Sequence, residues 1–218
     1  MFTSKTSLII PTKNRSEQII ELINKLVFFK IEFNEIIIVD SSNIDHAKKI
    51  QIKIEKNNIK YYHTRSSTSY QRNFGLTKIK HNNYVMFMDD DVILLDDTFQ
   101  KMDQCIDKYG ADSNIGGFGF NQTEDIKYSF FEKLKNISLI RYLDIYPSVP
   151  GKIARSGWHS RILNLKEDVL ADWVFTTICI YKREDIKDFK FDESFGEYSY
   201  LEDLDFSLNL MKKNKKIY

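Results

Sequence analysis

Short unbroken apolar runs alternate along this chain with longer stretches of helical spacing. Ser7-Leu8-Ile9-Ile10 predicts a buried strand that stops at Pro11, where the chain must turn. From Ser16 to Phe29 the apolar residues Ile19, Ile20, Leu22, Ile23, Leu26 and Val27 recur at helical spacing, with Glu17 near the positive end of the predicted helix. Glu35-Ile36-Ile37-Ile38-Val39-Asp40 is a continuous β-branched run, as in a parallel strand covered on both faces, and it ends in a carboxylate. Ile59 to His63 predicts a third strand and Tyr70 to Ile79 a helix that brings Gln71, Arg72 and Asn73 near the end of the sheet. Tyr84-Val85-Met86-Phe87-Met88 is another buried strand, running straight into Asp89-Asp90-Asp91.

Strand alternating with helix predicts right-handed crossovers, an α/β fold with a mostly parallel sheet, and a ligand crevice at the strands' carboxyl ends. Asp40 and the acidic triplet should face that crevice. Residues 110–170, with Gly116, Gly117, Gly119, an amphipathic stretch over Tyr128 to Tyr142, Pro147 and Pro150, predict a loop-rich insertion over the site. Ala171 to Tyr181 reads as a strand and Tyr200 to Lys212 as a helix with acids in its first turn, C-capped by Asn214. Lys216-Ile217-Tyr218 looks like the start of a further strand, as in a sequence cut short of its natural end.

With 218 residues, 42% of them hydrophobic and 14% aromatic, the chain can bury one sizeable core, which argues for one domain and one site. The net charge of +1 lacks the positive excess of a nucleic-acid binder, so no polynucleotide partner is expected. Cys105 and Cys179 stand far apart with no CxxC or Cys/His cluster, which fits a reducing cytoplasm and no zinc site. No apolar run has the length of a signal peptide or a membrane span.

The acidic triplet is the sharpest chemical signal. Three adjacent carboxylates at the end of an apolar strand repel one another and call for a compensating cation, expected to be Mg²⁺ or Mn²⁺. Such an ion takes oxygen ligands, one or two carboxylates plus substrate phosphates, so a nucleoside diphosphate is the natural co-ligand. Alternation places Asp89 and Asp91 on one side of an extended backbone.

Together, Leu8-Ile9-Ile10-Pro11-Thr12-Lys13-Asn14-Arg15, Ile36-Ile37-Ile38-Val39-Asp40-Ser41-Ser42, Gln71-Arg72-Asn73-Phe74-Gly75, Phe87-Met88-Asp89-Asp90-Asp91 and Glu202-Asp203-Leu204-Asp205 resemble, in order and spacing, the family 2 glycosyltransferases. The resemblance implies the GT-A fold, a Rossmann-like sheet in a single domain over 1–218, with a nucleotide-binding half over 1–110 and an acceptor-binding half over 111–218. It implies that Pro11, Thr12, Asn14 and Arg15 line the nucleotide pocket, that Asp40 meets the base, and that Arg72 lies beside the base or diphosphate. Asp89 and Asp90 would meet the ribose and diphosphate region, and Asp91, with Asp89, the metal. Asp203 would be the general base and Glu202 its supporting neighbour, in an inverting transfer from a nucleoside-diphosphate sugar to a glycan or lipid-linked acceptor. Trp158 and Trp173 are candidates for stacking on sugar, although a Trp is more often core. His159, alone in a polar loop, reads as solvated. Where the family usually carries a glycine after Trp173, this chain has Phe175-Thr176-Thr177.

Two rivals stay open. A sugar nucleotidyltransferase would want a Gly-rich phosphate loop after the first strand, and Pro11-Thr12-Lys13-Asn14-Arg15 holds no Gly. A relative that binds nucleotide without catalysis is the other. The basic amphipathic stretch over Tyr128 to Tyr142 suits a peripheral membrane contact, a subunit contact or a lid over the site.

Overall fold

The computed structural model describes residues 1–54, 59–80, 82–123, 143–147, 149–196 and 201–218. The strands are β1 (Thr6–Thr12), β2 (Glu35–Asp40), β3 (Lys60–His63), β4 (Tyr84–Met88), β5 (Ile115–Gly119), β6 (Ile178–Lys182) and β7 (Lys216–Ile217). The helices are α1 (Ser16–Phe28), α2 (Ile44–Ile54), α3 (Thr68–Leu76), α4 (Thr98–Tyr109), α5 (Arg183–Ile186) and α6 (Glu202–Lys212). The strands form a seven-stranded sheet in the order β3-β2-β1-β4-β6-β5-β7. Neighbours from β3 to β4 run parallel, as do β5 and β7, while β6 lies antiparallel between β4 and β5.

Alternation along the strands divides the core in two. Leu8, Ile10, Ile38, Met86, Met88, Phe118 and Ile180 face α1, α2 and α4 through Leu22, Leu26, Ile50, Phe99 and Met102. Ile9, Ile37, Val39, Val85, Phe87, Cys179 and Tyr181 face the opposite way, toward Ile186, Phe191, Phe206 and Leu210. Burial of such a side chain is worth about 1.5–3 kcal/mol, so these two faces hold the sheet rigid beneath a polar rim. An aromatic group seats α6: Phe191 stacks on Phe206 at 4.2 Å, and Phe87 meets both rings edge-on at 5.2 and 6.1 Å. That packing fixes where the first turn of α6 emerges.

Several expectations need correction. Pro11 does not end β1, which continues through Thr12 opposite Asp40 of β2. The Thr12 carbonyl accepts from Ser41 N on the β2 side, so by alternation the Pro11 nitrogen points toward β4, whose register with β1 stops at Ile9–Phe87. No ladder bond is lost there. The Gly-rich stretch of the expected insertion is strand β5, inside the sheet. A Cβ on Gly117 would come within 2.9 Å of the Ile180 carbonyl oxygen, and one on Gly119 within 2.5 Å of Val174 Cγ1, so close packing demands these glycines. β6 begins at Ile178 rather than Ala171, which makes an isolated bridge to Ile217 instead. Helices α2 and α4 were not foreseen, although Ala47, Ile50, Ile54 and Phe99, Met102, Ile106 bury one face of each at helical spacing. Asn214 does cap α6, taking φ +56° and donating to the Met211 carbonyl. The stretch expected to be helical over Tyr128 to Tyr142 lies outside the described residues.

Candidate active site

At the carboxyl ends of β1 and β4 a cleft of about 690 Å³ opens. Its walls include Pro11, Thr12 and Arg15 after β1, Asp89, Asp90 and Asp91 after β4, Gln71 and Arg72 of α3, and Glu202 and Asp203 at the start of α6. Two acidic clusters far apart in sequence therefore share one space.

Each carboxylate of the triplet meets a donor. Asp90, buried, accepts from Thr12 Oγ1 at 2.6 Å and from Arg15 at 3.0 Å. Burial pushes its carboxyl above the ordinary range, and the bonds from Thr12 and Arg15 pull the other way. Asp91, about half exposed, takes the same Arg15 guanidinium at 2.6 Å, and this pair of acids raises the Arg15 pKa, the Asp90 bond most of all. Asp89 accepts from Arg72 at 2.8 Å. The cation that three adjacent carboxylates call for is thus supplied in this structure by two arginines.

Arg72 is buried, and its other terminal nitrogen, Nη1, donates to Glu202. It lines the cleft, yet its fork is spent on the two acidic clusters. Glu202 and Asp203 are each pushed above the ordinary carboxylate range, first by burial, against the nearby charge of Arg72 for Glu202 and the Leu204 N–H for Asp203. Asp203 accepts that N–H at 2.8 Å. Leu201, just before them, takes φ +69°, an uncommon conformation for a branched residue and one that turns the backbone into α6 at the cleft wall.

A family model described as glycosyl transferase family 2 matches residues 7–169, well over half of the chain. The chain belongs to this family. Among similar proteins, the poly(ribitol-phosphate) beta-N-acetylglucosaminyltransferase TarS of Staphylococcus aureus is 29% identical over 165 residues. That alignment takes in 70% of this chain and 28% of TarS, so the chain spans under a third of the curated relative. A crystal structure of S. aureus TarS 1–349 superposes on 98% of this chain and 58% of its own, with TM-score 0.62 and 21% identity. The mannosyltransferase PcManGT from Pyrobaculum calidifontis, in complex with GDP-Man and Mn2+, covers 98% of this chain and 53% of its own at TM-score 0.60 and 15% identity. GalNAc-T7, with UDP, GalNAc and Mn2+, covers 98% and 41% at TM-score 0.64 and 13% identity. The shared fold is GT-A, a mostly parallel sheet flanked by helices.

In this family 2 chain, several expected site residues sit elsewhere. Asp40 has no exposed surface and does not line the cleft: Oδ1 accepts from Ser42 N and Oγ, and Oδ2 from the Tyr61 hydroxyl at 2.6 Å. The contacts visible here hold a turn. Asn14 also lies off the cleft, clasping the loop after β2 through Ser42 Oγ at 2.7 Å and Asn43 N at 2.8 Å. Trp158 is 60% exposed and outside the cleft, whereas Trp173 is buried in its wall, its indole donating to the Ser160 carbonyl at 3.0 Å. His159, read as solvated, instead lines the cleft edge-on to Trp173 at 4.7 Å. Arg161, Phe175, Thr176 and Thr177 join that wall. They sit in irregular segments, where no periodicity announces which side chains turn inward.

Among the described residues, no three His, Cys, Asp or Glu side chains form a cluster able to hold a metal by themselves. The donor set still fits a hard cation that binds through one or two carboxylates and completes its shell with phosphate and water. Asp91 and Asp89 offer such oxygens at the cleft wall.

Proposed function

We propose that the chain transfers a sugar from a nucleoside-diphosphate sugar to an acceptor hydroxyl, with inversion and with help from Mn²⁺ or Mg²⁺. The observation that carries this reading is the meeting of Asp89-Asp90-Asp91 and Glu202-Asp203 across one cleft. Residues 1–110 supply the donor side through Pro11, Thr12, Arg15 and the triplet, and residues 111–218 supply the base and the acceptor wall. Asp91, with Asp89, would hold the cation, which when bound offsets the charge of the departing diphosphate. Asp203 takes the acceptor proton as the hydroxyl attacks the anomeric carbon, and its burial makes it a stronger base than a solvated aspartate. Arg15 has a flexible, half-exposed guanidinium beside Asp91 and is placed to follow a phosphate.

TarS is named for transfer to poly(ribitol-phosphate), which supports a polymeric, hydroxyl-bearing acceptor and a role in polysaccharide or glycan biosynthesis, and the unbridged Cys105 and Cys179 suit a cytoplasmic reaction. Among the described residues no helix is long and apolar enough to cross a membrane. Calorimetric titration of UDP, GDP and dTDP, with and without Mn²⁺, tests the donor site. One nucleotide should bind in a metal-dependent way and lose that dependence in Asp91→Ala; absence of binding by all three would remove the donor site and the proposal with it.

A further inference from the structure

Helix α3 carries three consecutive polar side chains, and each holds a different part of the cleft. Gln71 Nε2 donates to the carbonyls of Thr12 at 2.9 Å and Val39 at 2.7 Å, pinning the ends of β1 and β2. Asn73 donates to the Phe191 carbonyl at 2.9 Å and to Glu193 at 3.0 Å, and accepts from Phe191 N at 2.8 Å, so it clamps the stretch leading toward α6. Arg72, between them, reaches Asp89 on one side and Glu202, 130 residues further along, on the other.

We infer that Arg72 is a positioning residue: it sets the separation between the donor-side carboxylate Asp89 and the Glu202-Asp203 turn, and it touches neither donor nor acceptor. The inference rests on the reading of Asp203 as the base.

Three observations support it. A planar guanidinium presents a fork that spans two carboxylates, which the point charge of a lysine does not. The Arg72 side chain is 3% exposed and packs 5.5 Å from the Phe191 ring, which Asn73 clamps and Phe206 stacks upon, so it is not free to swing out after a phosphate. Arg72 Nε and Glu202 Oε2 are buried without hydrogen-bond partners, so the ion pair is an incomplete device for stability, and buried pairs contribute little net stability even when complete. Its place between the two clusters gives it another use. Displacement of a reacting group by an ångström costs on the order of 10²-fold in rate, so a rigid spacer here acts on turnover rather than on binding.

Arg72→Lys tests this, because it keeps the charge and leaves neither acid facing an apolar replacement. Thermal unfolding establishes that the variant is folded. UDP and GDP are then titrated with Mn²⁺, hydrolysis of the matching nucleotide sugar is followed, and the variant is crystallised. The expected result is nucleotide affinity within about threefold of wild type, an unchanged KM for the donor, kcat lower by about 10²-fold, and the first turn of α6 displaced from Asp89. Affinity falling by the same factor as kcat would mean that Arg72 touches the donor, and unchanged kcat with an unmoved turn would mean that it positions nothing; either overturns the inference. Should Arg72→Lys fail to fold, Glu202→Gln keeps the shape of the turn and removes one ion pair. It should lower kcat by about tenfold at unchanged nucleotide affinity, and wild-type kcat there overturns the inference as well. If the wild-type protein neither binds nucleotide nor hydrolyses donor, the functional reading fails by itself, while the crystal structures still decide whether Arg72 sets the spacing.

Discussion

At the end of β4 every carboxylate faces an arginine, with the Thr12 hydroxyl added for Asp90, whereas at the start of α6 Asp203 is met by backbone N–H groups and is partly buried in the cleft wall. The first cluster has its charge neutralised by Arg72, held fixed, and by Arg15, a half-exposed side chain that a ligand can rearrange. The second leaves Asp203 ionised only at a cost, because burial favours its protonated form. Such a contrast suits a donor side that must accommodate an anionic diphosphate and a base side that must gain by taking a proton.

The largest expected effect separates the two. Asp203→Asn should lower turnover by about 10²–10⁴-fold while leaving nucleotide binding intact, as read by donor hydrolysis and calorimetry. A parallel loss of binding would erase the distinction. In the wild type, turnover should rise with pH as Asp203 ionises. The same variant sharpens the contrast through stability. Because the folded-state pKa of Asp203 is raised, its contribution is most favourable below the ordinary aspartate value of 3.8 and is lost as pH rises through the folded value. Asp203→Asn should therefore unfold at a higher temperature than wild type at neutral pH, by about 2–4 °C for each kcal/mol relieved. That gain should vanish in acid below the aspartate range, and thermal scans across pH check it.

A smaller effect of opposite sign is expected in the first cluster, where burial raises the Asp90 carboxyl too but its loss strands Thr12 and Arg15. Asp90→Ala removes the acceptor of the Thr12 hydroxyl and one of two partners of Arg15, leaving a buried hydroxyl unsatisfied. Denaturant unfolding should show a loss of about 1–3 kcal/mol. A gain in stability, as for Asp203→Asn, would show that both clusters are strained alike.

How far the chain disclosed this arrangement follows from the range of the interactions involved. The β-branched runs of β1, β2 and β4 need only their neighbours to be read, and the triplet after Met88 declares itself for the same reason. α2 and α4 were equally local and equally legible: Asn43 caps the first, accepting from His46 N at 3.2 Å, and Gly110 follows the second. β5 was hidden because its glycines answer to Tyr181, Ile180 and Val174, which are distant in sequence. Asp40 was correctly placed at a strand end and its turn bonds to Ser42 are local, but its hydrogen bond from Tyr61 depends on the β2–β3 pairing. The partners of Arg72 and the inward turn of His159 likewise exist only once residues far apart in the chain have met. The fold is local pattern repeated, and the site is made of exceptions to it.

The finest distinction concerns Arg15, which sits where a cation and a phosphate would compete. Its bond to Asp91 joins two side chains that are each about half exposed, and such pairs are worth about 0–1 kcal/mol. Through that pair Arg15→Met should change stability little, its cost coming instead from the buried Asp90, left with the Thr12 hydroxyl as partner, while Asp91 is freed to bind a cation more tightly. Titration of Mn²⁺ in the absence of nucleotide should show affinity higher by up to about fivefold, the equivalent of 1 kcal/mol. UDP or GDP binding in the presence of Mn²⁺ should weaken, because the guanidinium that can follow the phosphate is gone. If Mn²⁺ affinity instead falls, Arg15 orients Asp91 for the cation rather than competing with it, and the neutralised donor cluster is then a preassembled metal site.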